Sequence, residues 1–377
     1  MSLIKLYPAE LALCSKAASF LQSDFWGSFK SRFGWTSFAF NAEWNGTDST
    51  ASHSTSLLVL YRRLIPGFGL AYIPWGPELP AELLIKRDNN KEFCQNAVLE
   101  IAAALRSLLP KDTALIRFDF PWYTSAQQYT NTSELPWTFK KPLSKAVVDV
   151  QAPDTVLIDL APEEKTILGN MKSKWRYNIG LAEKKGVSVQ LRWTVCHADS
   201  ESSLDAFYSI YKETAARDRI NIHGKAYYMA LFEEAAKYNI DLRLYLASHE
   251  GEDIAGIIVL LRGKEAIYLY GASSNHKRNL MAPYALQWKA MQDAKAAGCL
   301  VYDLFGIPPG PPEVYPDHPM AGLYRFKTGF AGDTAENQII RRFGCWDYPL
   351  RPLASAAYSA AEKIRKKIRD RKKRGRL

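Results

Sequence analysis

Lys172 and Arg176 stand one helical turn apart, with Lys174 between them, in the stretch MKSKWRYNIGLAEKKG at 171–186. Met171, Trp175, Ile179 and Ala182 recur every three to four residues as an apolar stripe, so Lys172 and Arg176 share another face of an amphipathic helix. Cations at a helix start are unusual, because the dipole there attracts anions. The combination suits an anionic ligand, which free backbone N–H groups and a planar guanidinium can grip together, as they would a diphosphate. Arg176 is the candidate phosphate ligand, since its fork matches two oxygens at once, and Tyr177 and Asn178 add neutral hydrogen bonds. The same pattern also describes a solvated helix with a basic face.

Two tyrosines sit where a cleft is expected. Tyr72 precedes the turn P-W-G-P, in which Gly76 permits backbone conformations closed to other residues. It suits contact with a sugar or nucleotide, or a place in the core. Tyr270 ends an apolar strand just before Gly271, and it either faces a cleft or packs across strands. Lys30 follows Trp26 by one turn on the same helical face.

Other chemistries find no support. The six histidines are dispersed and no G-x-S-x-G occurs, which argues against Ser/His/Asp catalysis. Neither G-x-G-x-x-G nor a P-loop is present. The five cysteines, at 14, 94, 196, 299 and 345, are scattered and never spaced C-x-x-C, so neither a disulfide framework nor a zinc site is expected. Reduced, buried thiols and a cytoplasmic location follow.

The stretch K-x-x-x-R-Y-N-I-x-x-A-x-K-K-G resembles the central signature of the Fem family (FemA, FemB, FemX), bacterial transferases that move an amino acid from aminoacyl-tRNA onto a peptidoglycan precursor. Further segments resemble the same family in order: FLQSDFWGSFKSRFGW at 20–35, AYIPWGP at 71–77, YLYGAS at 268–273, NLMAPYALQWKAM at 279–291, YDLFGI at 302–307 and LYRFKTGF at 323–330. The resemblance implies a mixed α/β (α+β) fold of two tandem GNAT-like domains, each a mixed sheet flanked by helices. The first would be built from residues 1–153, the second from 154–337, with about 338–377 packing back on the first. Residues 204–244 hold two ordinary helices but not the coiled-coil arm of FemA and FemB, so the chain looks more like FemX.

The resemblance also implies roles. Lys30 would hold a phosphate of the UDP-linked precursor, with Arg176. Lys327, in R-F-K-T-G-F, would steady the oxyanion of the tetrahedral intermediate, although a salt-bridge lysine fits the same position. Glu78, after the G-P turn, is the nearest match to the family's candidate general base; Asp119 and Asp303 are rivals, and an amine that loses its proton to substrate needs no protein base. No cofactor or metal is expected, because the ester donor is already activated. True GNAT enzymes carry a glycine-containing acetyl-CoA loop where this chain reads K-R-N-L-M-A, so coenzyme A is disfavoured. The alternatives are an acyl-CoA-dependent N-acyltransferase and a non-catalytic nucleic-acid or membrane-surface binder.

Composition sets the frame for these elements. The chain has 377 residues, 47% apolar and 23% charged, which suits two globular domains. Its net charge is +10, but residues 362–377 hold ten Lys or Arg against two acids, +8, leaving about +2 for the rest. The charge is therefore a basic tail, suited to tRNA phosphates or to peripheral contact with anionic lipid. A monomer is expected. Neither a secretory signal nor an apolar run of transmembrane length is apparent.

Spacing predicts a helix capped by Ser23 or Asp24, strands at 56–64 and 70–76, a helix at 96–108, and a strand at 114–122 that ends at a proline. Residues 136–153 are irregular and contain the boundary. A strand at 156–160, one helix over 162–185 and a strand at 187–194 follow. Then come helices at 203–216 and 224–238, three strands between 242 and 273, a helix at 282–298 and a strand at 300–307. A last helix over 353–374 is expected to turn Leu353, Ala356, Ala360, Ile364 and Ile368 toward the protein.

Overall fold

The structure is a computed structural model that describes residues 2–45, 52–79, 91–125, 138–194, 200–316, 318, 320–332 and 338–374. It is mixed α/β. Its elements run β1 (Leu3–Ala9), α1 (Asp24–Ser31), β2 (Thr36–Asn45), β3 (Ser52–Ile65), β4 (Phe68–Ile73), α2 (Lys91–Leu108), β5 (Thr113–Ser125) and β6 (Ser144–Lys145). They continue with β7 (Asp154–Asp159), α3 (Glu164–Asn170), α4 (Ser173–Lys184), β8 (Ser188–Trp193), α5 (Ser200–Asp218), α6 (Lys225–Lys237), β9 (Asp241–His249), β10 (Glu252–Arg262) and β11 (Glu265–Ser273). The last are α7 (Ala282–Ala296), β12 (Val301–Asp303), α8 (Ala321–Ala331), β13 (Ile339–Pro349) and α9 (Pro352–Arg374).

Two compact units result: Met1–Tyr123 with Glu134–Gln151 and Arg342–Leu377, and Thr124–Ser133 with Ala152–Arg341. Each is a sheet with flanking helices. In the first, β2, β3 and β4 form an antiparallel meander, and α2 carries the chain across to β5, parallel to β4. In the second, β9, β10 and β11 form the meander, and α7 leads to β12, parallel to β11. Parallel neighbours require such a crossover, so the same order of elements yields the same local topology twice. The first core joins Val98, Ile101 and Leu105 of α2 to Phe118, Phe120 and Trp122 of β5. The second joins Leu286, Ala290 and Met291 of α7 to Ile257, Val259 and Tyr302.

Four expectations are corrected. The strand at 114–122 does not stop at Pro121 but continues to Ser125. The helix over 162–185 is broken at Met171 and Lys172, whose extended backbone (ψ 154° and 142°) separates α3 from α4. The Arg176 guanidinium closes the break by donating to the carbonyls of Gly169, at 2.9 Å, and Met171. The strand at 300–307 shrinks to three residues, because Phe305 and Gly306 turn left-handed (φ 49° and 41°). The stripe of α9 expected to face inward is exposed at Leu353, Ala356, Ala360, Ile364 and Ile368. Of the cysteines, 14, 94, 299 and 345 are buried and none of these four is in a disulfide, and Cys196 lies outside the described residues.

What holds α9 is polar. Arg117 of β5, 2% exposed, donates Nε and Nη2 to the Asp347 carboxylate at 2.7 and 2.8 Å. Its Nη1 and Nη2 also reach Glu362 of α9 at 2.9 and 2.8 Å, and Tyr358 stacks on Phe68 at 5.5 Å. Burial opposes the charge on Arg117, yet the two carboxylates outweigh it and hold its pKa above the ordinary value. Removing one member of such a buried set strands the others. Arg117→Met is therefore expected to lower unfolding free energy by about 3–5 kcal/mol in urea titration. A loss under about 1 kcal/mol, the range of a surface pair, would show that the ion pair is not what anchors the helix.

Candidate functional site

Of the residues singled out by sequence, Lys30, Tyr72 and Glu78 lie in the first unit, and Arg176, Tyr177, Tyr270 and Lys327 in the second.

In the first unit, α1 begins where the Ser23 hydroxyl accepts from the Trp26 N–H at 3.3 Å, as a serine N-cap does. One turn later Lys30 lies over the rings of Trp26 and Phe29, with Nζ 5.5 and 5.9 Å from their centroids. Burial, and then the neighbouring Arg62 charge, push its pKa down to about 8. Arg62 lies over Trp35 at 5.7 Å, and Trp35 meets Tyr72 at 6.2 Å. Trp35, Arg62, Leu70 and Tyr72 wall a cavity of about 260 Å³ with Arg117, Asp149, Tyr358 and Glu362. Arg62 and Trp35 were not singled out from sequence. The signal was there in strand alternation, which puts Arg62 on the same face as Leu60 and Leu64.

Tyr72 is buried, and its hydroxyl donates to Asp119 at 2.8 Å. Burial raises the Asp119 carboxyl to about 6, with the Tyr72 bond acting against the rise. The turn after β4 is set by Gln22, whose side-chain amide donates to the carbonyls of Pro74 at 2.7 Å and Leu58 at 3.2 Å. A Cβ on Gly76 would stand 2.9 Å from that amide, so only glycine fits there. Glu78, just beyond, accepts from the Ser19 N–H at 3.0 Å.

In the second unit, Lys327 is 5% exposed on α8. Its ammonium donates to the carbonyls of Phe305 and of Gly306, the latter at 2.9 Å, and lies 5.0 Å from the Tyr268 ring centroid. Burial lowers its pKa to about 7, and Asp303 works in the other direction. Asp303 itself is fully buried, accepting from the Thr155 hydroxyl and, at 2.7 Å, from the Phe305 N–H. This carboxylate shapes the turn that supplies the carbonyls.

Helix α4 packs against α8 through Trp175, whose indole donates to the Phe326 carbonyl at 2.9 Å. A Cβ on Gly329 would come within 2.2 Å of the indole, so the glycine of R-F-K-T-G-F is what admits Trp175. Arg176 and Tyr177 are exposed on the opposite side, while Asn178 is buried. Arg176 uses Nη1 for the carbonyls of Gly169 and Met171, which fixes its plane; the Nε–Nη2 edge is the one that matches two phosphate oxygens. Tyr270 stands edge-on to Tyr228 at 5.2 Å and near Tyr211 at 6.5 Å, with burial holding its hydroxyl well above the ordinary pKa. Among the described residues no group of three His, Cys, Asp or Glu is placed to hold a metal ion.

UDP-N-acetylmuramoylpentapeptide-lysine N(6)-alanyltransferase of Weissella viridescens is 30% identical over 155 residues, 40% of this chain and 43% of that protein. Lipid II:glycine glycyltransferase of Staphylococcus saprophyticus is 34% identical over 120 residues, 32% of this chain and 26% of that protein. The matched segments thus span less than half of either relative. The crystal structure of FemX superposes with a TM-score of 0.70 at 15% identity, covering 94% of this chain and all of that one, which establishes a shared fold. With the FemAB family profile matching residues 13–250 and 245–363, nearly the whole length, the chain belongs to the FemAB family.

Proposed function

We propose that this protein transfers an amino acid from aminoacyl-tRNA to the stem-peptide amine of a peptidoglycan precursor, UDP-linked or lipid-linked, in the building of interpeptide bridges. The observation that carries the reading is Lys327, a buried lysine with its ammonium gripped by two backbone carbonyls, in a chain of this family. The two relatives named above bear on a UDP-linked muramoyl pentapeptide and on lipid II, by their names. The amine nitrogen of the stem peptide attacks the ester carbonyl carbon of the donor. The carbonyl oxygen becomes an oxyanion, the C–O bond to the tRNA ribose breaks, and the leaving oxygen takes the proton that the amine loses. Lys327 has three N–H groups, two directed at carbonyls. The third serves the oxyanion. Neither a metal nor an organic cofactor enters.

Lys30 and Arg62 are assigned to phosphate oxygens. Burial first, and then the neighbouring Arg62 charge, hold the Lys30 pKa down, and a bound diphosphate would favour the charged form of both side chains. Arg176 is assigned to a second anionic group, with Tyr177 beside it; Tyr72 and Tyr270 contribute ring surface for substrate. Glu78 remains the candidate base. No helix among the described residues is long and apolar enough to cross a membrane. The protein is assigned to the cytoplasm as a monomer, reaching a lipid-linked acceptor at the membrane face. The reading is tested by a transfer assay with a mixed charged-tRNA pool and both acceptors, followed by mass spectrometry; absence of any amino-acid adduct on either acceptor would overturn it.

Lys327→Met is expected to lower kcat by roughly 10²–10³-fold while leaving acceptor Kd unchanged, since the charge matters where negative charge develops. In the wild-type enzyme the rate should fall as pH rises through about 7, where the ammonium deprotonates. The stability effect has the opposite sense. With a folded pKa of about 7 against an ordinary 10.5, the unfolded chain binds the extra proton between those values, so the wild type gains stability as pH rises across them. Lys327→Met should therefore melt above the wild type at pH 6, with the gap narrowing toward pH 10. Wild-type turnover in this variant would leave Lys327 a structural residue.

Lys30→Ala and Arg176→Ala should each weaken precursor binding by about 1.5–3 kcal/mol, the range for a hydrogen bond to a charged group. Calorimetry measures this, and affinity in the wild type should fall as pH rises through about 8. Only Arg176→Ala should also lower the melting temperature, because it uncovers the carbonyls at the α3–α4 break. Unchanged affinity in both variants would remove the phosphate assignment.

A further inference from the structure

Helix α9 has two unlike faces. Ser355, Tyr358 and Glu362 form the docked one: Ser355 is buried, and Arg117 holds Glu362. The opposite face carries Leu353, Ala357, Ala360, Ile364 and Ile368, spaced by four, three, four and four residues and so aligned in one stripe. All five are exposed, Leu353 at 90%, Ile364 at 60% and Ile368 at 49%. Aliphatic side chains in an exposed row mark a surface that is covered by something. On the helical wheel Lys363 and Lys367 border the stripe on one side and Arg365 on the other, and all three are exposed.

We propose that this face of α9 lies in the plane of an anionic lipid surface, with the stripe at the boundary of headgroups and acyl chains and the flanking cations at lipid phosphates. Charge complementarity selects this occupant. Nucleic acid would reward the cations but not the aliphatic row, and a second copy would set lysine against lysine along the rim. An amphipathic helix with a basic border is the form that lies on a membrane rather than across it. The inward side chains Tyr358 and Glu362 wall the cavity that also holds Arg62 and Tyr72. The proposal deepens the transfer reading, and rests on it only in favouring a lipid-linked acceptor.

The test uses the full chain and two vesicle preparations, phosphatidylcholine alone and an equal mixture with phosphatidylglycerol, in sedimentation. The protein is expected to sediment with the anionic vesicles only. The double variant I364S/I368S should bind them at least about tenfold more weakly at unchanged charge, because it removes two buried aliphatic groups. Its melting temperature and its transfer to the soluble UDP-linked acceptor should match the wild type, which separates loss of this surface from failure of the transfer reading. Unaltered vesicle binding by the double variant, or none by the wild type, would overturn the proposal. So would a dimer in ultracentrifugation, or binding to a total tRNA pool, that the two serines abolish.

Discussion

An ammonium group taken out of water needs oxygen atoms around it, and much of the second unit is arranged around that need at Lys327. Strand β12 ends at Asp303, whose carboxylate accepts the Phe305 N–H and the Thr155 hydroxyl. That bond bends Phe305 and Gly306 into left-handed conformations and brings their carbonyls onto Lys327. Helix α8 must then lie close, and Gly329, in its last turn, leaves the space that Trp175 fills. Trp175 in turn fixes α4, the helix that carries Arg176. A single buried charge thus connects a strand end, a strained turn, a helix contact and a second cation.

Three cations in this chain sit in three different surroundings, and their pKa values are displaced accordingly. Arg117 faces two carboxylates, and its pKa lies above the ordinary value despite burial. Its charge is used up in holding α9 and β13. Lys327 faces neutral carbonyls, whose dipoles do not offset burial, and it falls to about 7. Lys30 lies over aromatic rings beside another cation and falls to about 8. A buried cation with a full set of carboxylates has nothing left for a substrate. One whose charge is opposed by burial gains most when negative charge arrives, which is the condition for differential binding of a transition state or a phosphate.

Much of this arrangement was legible in the residues. The Ser23 cap, the strand–helix–strand order of both units and the burial of Ile179 and Ala182 on one face of α4 follow from periodicity and capping, which are local. The departures are non-local. Phe305 is not a glycine, and nothing in its neighbours forecasts a positive φ; the turn is imposed by Asp303 and by Lys327, twenty-two residues away. The break at Met171 is stabilised by Arg176 reaching backward, a use of the guanidinium that composition cannot distinguish from ligand binding. Arg62 carried a local signal, strand alternation, but its partners Trp35 and Lys30 come from a different part of the chain.

Helix α9 shows where periodicity misleads. A repeat of aliphatic residues identifies a face with one character, but it does not say which neighbour that face meets. Inward docking by burial would gain roughly 0.8 kcal/mol per buried methylene, so the apolar side is the reasonable choice when nothing else is known. Here Arg117 is already buried in the first unit, and one carboxylate, Asp347, leaves donors to spare. Glu362 and Tyr358 are the α9 residues that answer it, and they lie opposite the stripe. The hydrogen-bonding demand of a buried guanidinium outweighs the area gain of a few exposed aliphatic groups. The orientation of the helix is therefore decided by β5, more than two hundred residues earlier, and the aliphatic face is left to meet something outside the chain.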